Sequence, residues 1–247
     1  SGFPLPFTFP AIAFWFFVNH VRASLACMRS ARILFGFLLM ATVSACVAPS
    51  GGRRPTGQRP AQPPMIQPSE ELRQCLVDLQ RINARYSLVA NPSSGAGCST
   101  MSTIQLTGVG IPVTNITAIQ CPLARTLTLW TRDAVQPAAR SIFGSPVVKL
   151  ESMGSYSCRN VIGRAQSAGT RSEHATGNAV DVSGFVLADG RRITVEAGWN
   201  GSEEERRFLR QVRQAACQRF QTVLSPDYNA AHYNHLHFDL GRGTYCR

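Results

Sequence analysis

Five histidines occur in the 247-residue chain, and four of them fall in two short segments. His174 stands in one; His232, His235 and His237 stand together near the C-terminus. Histidines that serve packing are usually scattered and single, so this clustering points to chemistry. In an extended segment alternate side chains share a face. His235, His237 and Asp239 then look one way, while Leu236, Phe238 and Leu240 look the other way, toward a core. After His174 and a turn at Gly177, Asp181 shares a face with Ala179 and Ser183, and Val180 and Val182 point away. A carboxylate in so apolar a strand needs a partner, because burying it bare costs several kcal/mol. A cation supplies one; a hydrogen-bonded His–Asp network in a polar core is the alternative. Two imidazoles and one carboxylate make a zinc site with one open position. The positive charge left over would polarise a carbonyl and bring the pKa of bound water to about 7, which a closed thiolate site would not do.

The elements that must carry these residues are legible from periodicity. Residues 69–86 place Leu72, Leu76, Leu79 and Ile82 at helical spacing. Residues 99–117 alternate around Gly108 and Gly110, as strands and a turn do. Pro122 opens a second helix through Leu127 and Trp130 that should stop near Pro137. Residues 147–150, 179–187, 193–195 and 235–240 read as strands. Ser202 and Glu205 form a capping box for a third helix whose Phe208, Leu209, Val212, Ala216 and Phe220 line one face. Without βαβ regularity the class is α+β: a small antiparallel sheet flanked by helices.

The chain carries 25 basic against 14 acidic residues, a net charge of +11, and its mean hydropathy is −0.05. Residues 1–67 hold six arginines and no acid, so the remainder is only mildly basic. With no basic helix and no interleaved aromatics, nucleic acid is not an expected partner. There is no Gly-x-Ser-x-Gly elbow for a serine hydrolase. Gly108-Val109-Gly110 lacks the third glycine and the helix that a dinucleotide site needs.

Residues 1–27 form a Pro-broken apolar run with no methionine before Met28, and read as an extension upstream of the working protein. From Met28 a basic stretch, an apolar run from Ile33 and Val43-Ser44-Ala45-Cys46 read as a signal segment, 28–46. The tetrapeptide resembles the lipobox of bacterial lipoproteins, whose cysteine is lipidated. A transmembrane anchor is the alternative. Residues 47–68, rich in Pro, Gly and Arg, are a linker of about 3 Å per residue, on the order of 60 Å at full stretch. Its arginines either touch anionic lipid or wall polymer or are merely solvated. The expected location is periplasmic, anchored to the outer rather than the inner membrane. Cys75, Cys98, Cys121, Cys158, Cys217 and Cys246 remain for the domain at 69–247, with no CxxC pair among them. In an exported domain they read as three disulfides, expected between sequence neighbours: Cys75–Cys98, Cys121–Cys158 and Cys217–Cys246.

The spacing His-x6-Asp followed by His-x-His resembles that of the LAS metallopeptidases (lysostaphin, D-Ala-D-Ala carboxypeptidase, hedgehog). Ser172-x-His174-x-x-Gly177-x-Ala179-x-Asp181 is similar to the carboxypeptidase form of the first motif. From about Cys75 to Cys246, including Tyr156-Ser157-Cys158-Arg159 and Asp227-Tyr228-Asn229, the chain resembles the extensin-like C-terminal domain of bacteria. The resemblance implies a LAS-like fold with Zn²⁺ on His174, Asp181 and His237. It implies His235 beside the metal as proton acceptor or transition-state stabiliser, and His232 as an additional active-site histidine, as in penicillin-insensitive murein endopeptidase. Arg159 would bind the scissile carbonyl or a substrate carboxylate, a surface ion pair being the alternative. Ser172 would bond substrate or cap its turn. Asn234 stands where the carboxypeptidases carry a glutamate base, which shifts the expectation toward an endopeptidase acting on peptidoglycan cross-links. A zinc-stabilised module that binds cell wall without cleaving it is the second expectation. No feature fixes the oligomeric state; a monomer is the working expectation.

Overall fold

The computed structural model describes residues 68–163 and 165–247. Residues 1–67, expected to hold an upstream extension, a signal segment with Cys46 and most of the linker, lie outside the described residues. Ser69 opens the first helix, α1 (Glu70–Arg81), its hydroxyl accepting from the Leu72 N–H, and Leu72 and Leu79 are buried. The helix ends earlier than the periodicity predicts, because Asn83 takes a left-handed φ of 60°. Strand β1 (Ala84–Leu88) follows at once. A small hairpin, β2 (Ser94–Gly95) and β3 (Cys98–Ser99), leads to β4 (Thr103–Val109) and β5 (Ile119–Gln120), and the first sheet runs in the order β1-β4-β5.

Helix α2 (Cys121–Trp130) does not stop at Pro137. It continues through a π-helical turn, Thr131–Val135, into α3 (Gln136–Phe143). The Gln136 N–H reaches back to the Thr131 carbonyl, an i to i−5 bond. The wider turn accommodates the proline ring and its missing donor inside one rod. Gly144, in the left-handed region, closes it.

The second sheet positions the histidines. It contains β6 (Val147–Gly154), β7 (Ala179–Leu187), β8 (Arg192–Thr194), β9 (Thr222–Leu224), β10 (Leu236–Asp239) and β11 (Tyr245–Cys246), in the order β11-β9-β10-β7-β6 with β8 also on β7. Between β8 and β9 lie α4 (Val195–Gly198) and α5 (Glu203–Ala216); the predicted Ser202–Glu205 capping box is present on α5. Val180, Val182, Leu236 and Phe238 point to the core as expected and are fully buried. There Trp130 lies edge-on to Phe238, centroids 5.0 Å apart, and donates its indole N–H to the Val212 carbonyl on α5 at 2.9 Å. The opposite face of β7 and β10 is left for Asp181, His237 and Asp239. The result is α+β, built of small, largely antiparallel sheets, with three disulfides. Among the described residues no helix is long and apolar enough to cross a membrane.

Two of the three expected cysteine pairings are corrected. The bridges are Cys75–Cys121, Cys98–Cys158 and Cys217–Cys246, and only the last joins sequence neighbours. Helix α1 packs on α2, bringing Cys75 and Cys121 to a Cα separation of 6.1 Å, and β3 lies beside the segment after β6, bringing Cys98 and Cys158 to 5.5 Å. Loop-closure entropy grows slowly with length, so sequence distance discriminates poorly between pairings. A peptide map of non-reduced protein should return these three linked pairs, with no Cys75–Cys98 species.

Candidate metal centre

Register brings the first two groups together. Strands β7 and β10 pair antiparallel with His237 opposite Asp181, and His237 Nδ1 lies 2.9 Å from Asp181 Oδ1. The third arrives on a short 3-10 turn, Glu173–Thr176, just before β7. Ser172 caps that turn by accepting from the His174 N–H, so the structure gives it the capping role. Gly177 leaves the turn at φ 67°, where a Cβ would come 3.0 Å from the Ala118 carbonyl; glycine is what lets the chain drop from the turn into β7. His174 Nε2 then lies 3.2 Å from Asp181 Oδ2 and 3.2 Å from His237 Nδ1. All three side chains are buried.

These atoms fit a small divalent cation. His174, Asp181 and His237 each offer a ligand atom within 4.8 Å of the others. The two nitrogens lie 3.2 Å apart, with Asp181 Oδ1 2.9 Å from one and Oδ2 3.2 Å from the other, against an edge of about 3.4 Å in a tetrahedron of about 2.1 Å bonds. The rings are also preset. His174 donates Nδ1–H to the Ser155 carbonyl at 3.1 Å, and His237 donates Nε2–H to Asp239 Oδ2 at 3.0 Å. Each therefore turns its other nitrogen toward Asp181, as metal-ligating histidines oriented by an outer partner do.

His232 and His235 complete the group. His235 Nδ1–H donates to Asn234 Oδ1 at 2.9 Å, leaving Nε2 as an acceptor 3.6 Å from Asp181 Oδ1. His232 Nδ1–H donates to Asn229 Oδ1 at 2.7 Å, and its ring lies edge-on to Tyr228. Asp227 anchors that loop by accepting from the Trp199 indole at 2.7 Å. The four histidines form the floor of an open cleft of about 500 Å³ whose walls include Arg159, Arg171, Ser172, Tyr228, Arg242 and Tyr245. Arg159 is half-buried, its guanidinium donating to the Asn160 carbonyl, and it makes no ion pair among the described residues. Every site residue expected within the domain, apart from the disulfide cysteines, thus lines this cleft or touches its floor. What the sequence analysis did not give was the orienting role of Asp239, Asn229, Asn234 and the Ser155 carbonyl. Asp239 had the clearest signal: it shares the strand face of His237.

A family model for the extensin-like protein C-terminus matches residues 73–247. The chain belongs to that family. No curated protein and no solved structure matches it. The four histidines and Asp181 all fall within the extensin-like region.

The electrostatics follow from the contacts. Burial would raise the Asp181 pKa, but the hydrogen bonds and charges of His174 and His237 overcome it and hold the carboxyl well below the usual range. Burial would likewise lower His237, yet hydrogen bonds to Asp181 and Asp239 raise it to about 9. Burial, then the neighbouring histidines, lowers His232 to about 4; burial also lowers His235, and the charge of Arg159 depresses both. In metal-stripped protein the stabilising contribution of His237 is complete below about pH 6.5, the ordinary histidine pKa, and is lost as pH rises through about 9. His232 acts in the opposite sense: the unfolded chain binds its proton first, so stability falls as pH drops from 6.5 toward 4. Thermal melts in EDTA should therefore show the histidine contribution greatest near pH 6.5, and H237Q should remove the decline on the alkaline side.

Proposed function

We propose that the chain is a zinc-dependent peptidase that hydrolyses peptide cross-links of peptidoglycan, an endopeptidase rather than a carboxypeptidase. It works in the periplasm on a Pro/Gly/Arg-rich tether lipidated at Cys46, at the outer membrane, as a monomer. The observation that carries this reading is the convergence of His174 Nε2, His237 Nδ1 and the Asp181 carboxylate on the floor of an open cleft. The likeness to the LAS metallopeptidases rests on these residues and their spacing. His174, Asp181 and His237 would hold the Zn²⁺. When bound, it supplies Lewis-acid polarisation of the amide carbonyl and acidification of water.

The remaining residues have definite tasks. His235, with a pKa depressed by burial, is neutral at pH 7, and Asn234 fixes the tautomer that leaves Nε2 free. Nε2 accepts the proton that the attacking water gives up and returns it to the leaving amine. Asn234 thus orients the base where the carboxypeptidases carry the base itself. His232, also neutral and open to the cleft, hydrogen-bonds substrate beside it. Arg159 has donors to spare for the carbonyl oxygen or a carboxylate, two parallel bonds in the latter case.

Digestion of cross-linked muropeptides by zinc-loaded protein, with and without chelator, tests the reading. Chelator-sensitive release of monomers is expected; intact dimers with zinc verified in the protein would reject it. H235A should lower turnover at least ~100-fold with zinc content unchanged, the usual range for losing a general acid–base group. D239A should weaken zinc binding about 10- to 100-fold by removing the acceptor that orients the His237 ring, measured by competition with a chromogenic chelator. A second reading, a module that binds wall without cleaving it, is favoured by one residue, Asn234 in place of a carboxylate base. It predicts that the protein sediments with insoluble sacculi and releases no soluble peptide.

A further inference from the structure

The cleft walls carry charge that the metal centre does not use. In the order β11-β9-β10-β7-β6, the strands bearing Asp181 and His237 lie inside the sheet. Arg159 follows β6 at one edge. Arg242 stands in the turn that carries the chain from β10 to β11, the opposite edge strand, and both arginines line the cleft whose floor the histidines form. Elsewhere Arg191 pairs with Asp189, Arg192 with Glu151 and Arg219 with Asp133. Arg159 and Arg242 have no carboxylate partner among the described residues, and residues 1–67 contain no acid that could supply one. Arg171, the third cation on the walls, is spent on Asn160 Oδ1 and the Ala96 carbonyl.

The backbone under Arg242 is held at several points. The Gly241 N–H donates to Asp239 Oδ1 at 2.8 Å, the Tyr245 N–H to the Gln221 carbonyl at 2.8 Å, and Cys246 is bridged to Cys217. A Cβ at position 241 would come within 2.6 Å of Glu173 Oε1, so the turn packs directly on the His174 turn. Asp239 thus bonds both the His237 ring and the turn that presents Arg242.

We propose that the cleft selects a peptide bearing a free carboxylate on each side of the amide it cuts, with Arg159 receiving one and Arg242, as the specificity-determining residue, the other. A guanidinium fork matches a carboxylate in two parallel hydrogen bonds, and two unpaired guanidiniums flanking one cleft favour a doubly anionic occupant over a neutral one. This specificity rests on the peptidase reading for the position of the cut amide, but its binding component is measurable without turnover.

The test uses a fluorescent cross-linked peptide in four forms: both carboxylates free, each amidated in turn, and both amidated. Affinities for the zinc-loaded full chain are read by anisotropy and cleavage by chromatography. The free form should bind at least tenfold tighter than the doubly amidated form. R242Q should erase the preference for one carboxylate only and R159Q the preference for the other, with zinc content and circular dichroism retained; R242K, which keeps charge but not the fork, should restore part. Equal affinity for all four forms, or an R242Q protein that keeps both preferences, would overturn the proposal. Cleavage without preference rejects the two-carboxylate specificity and leaves the peptidase reading standing. Preference without cleavage does the reverse.

Discussion

The pairing of β7 with β10 is the constraint on which the rest depends. Its register sets His237 opposite Asp181 and, one residue on, Phe238 opposite Val180. A strand alternates its faces with a period of two, so a slip by one residue would turn His237 into the aromatic core and Phe238 into the cleft. Both errors are costly in the same direction: one buries an imidazole without partners, the other exposes a large ring. The aromatic cluster around Trp130, Phe185, Phe208 and Phe238 therefore fixes the polar centre without touching it.

A second layer of order comes from hydrogen bonds on the far side of each ring. His174, His232, His235 and His237 each commit one nitrogen to an oxygen of Ser155, Asn229, Asn234 or Asp239. The nitrogen left over faces Asp181 or the cleft. Four imidazoles in water would sample both tautomers and many rotamers; here that freedom has been surrendered on folding. Whatever ligand the centre takes then meets groups that need little further ordering, which is how preorganised sites gain affinity.

The central strands and the shared faces of Asp181, His237 and Asp239 were legible because both depend on short-range periodicity. The range of β7 and the inward side chains of β10 follow from alternation alone, and the Ser202–Glu205 box marks the start of α5. What was missed depends on long-range packing. Strands β9 and β11 are three and two residues long, and exist because β10 and then β9 offer them an edge. Strand β1 was absorbed into the preceding helix, since its burial pattern lacks a clean alternation and only Asn83 marks the break. Pro137 misled because a π turn can absorb a proline inside a continuous rod. Asn229 looks like an ordinary turn residue, and Asn234 like a missing base, until their oxygens are seen against the histidines.

The corrected disulfides show where covalent reinforcement is needed. Cys121 is buried in the core, and Cys75, Cys217 and Cys246 pack against it. Two of the three bridges secure the segments that wall the cleft. Cys98–Cys158 fastens the irregular stretch after β6 that carries Arg159, and Cys217–Cys246 fastens the two-residue strand after Arg242. Such stretches bury little apolar surface and could not resist fraying by packing alone. A bridge limits their excursions whether or not substrate is present. The division of labour is physical: the hydrophobic effect sets the floor and its register, and the bridges hold the walls at a fixed distance from it.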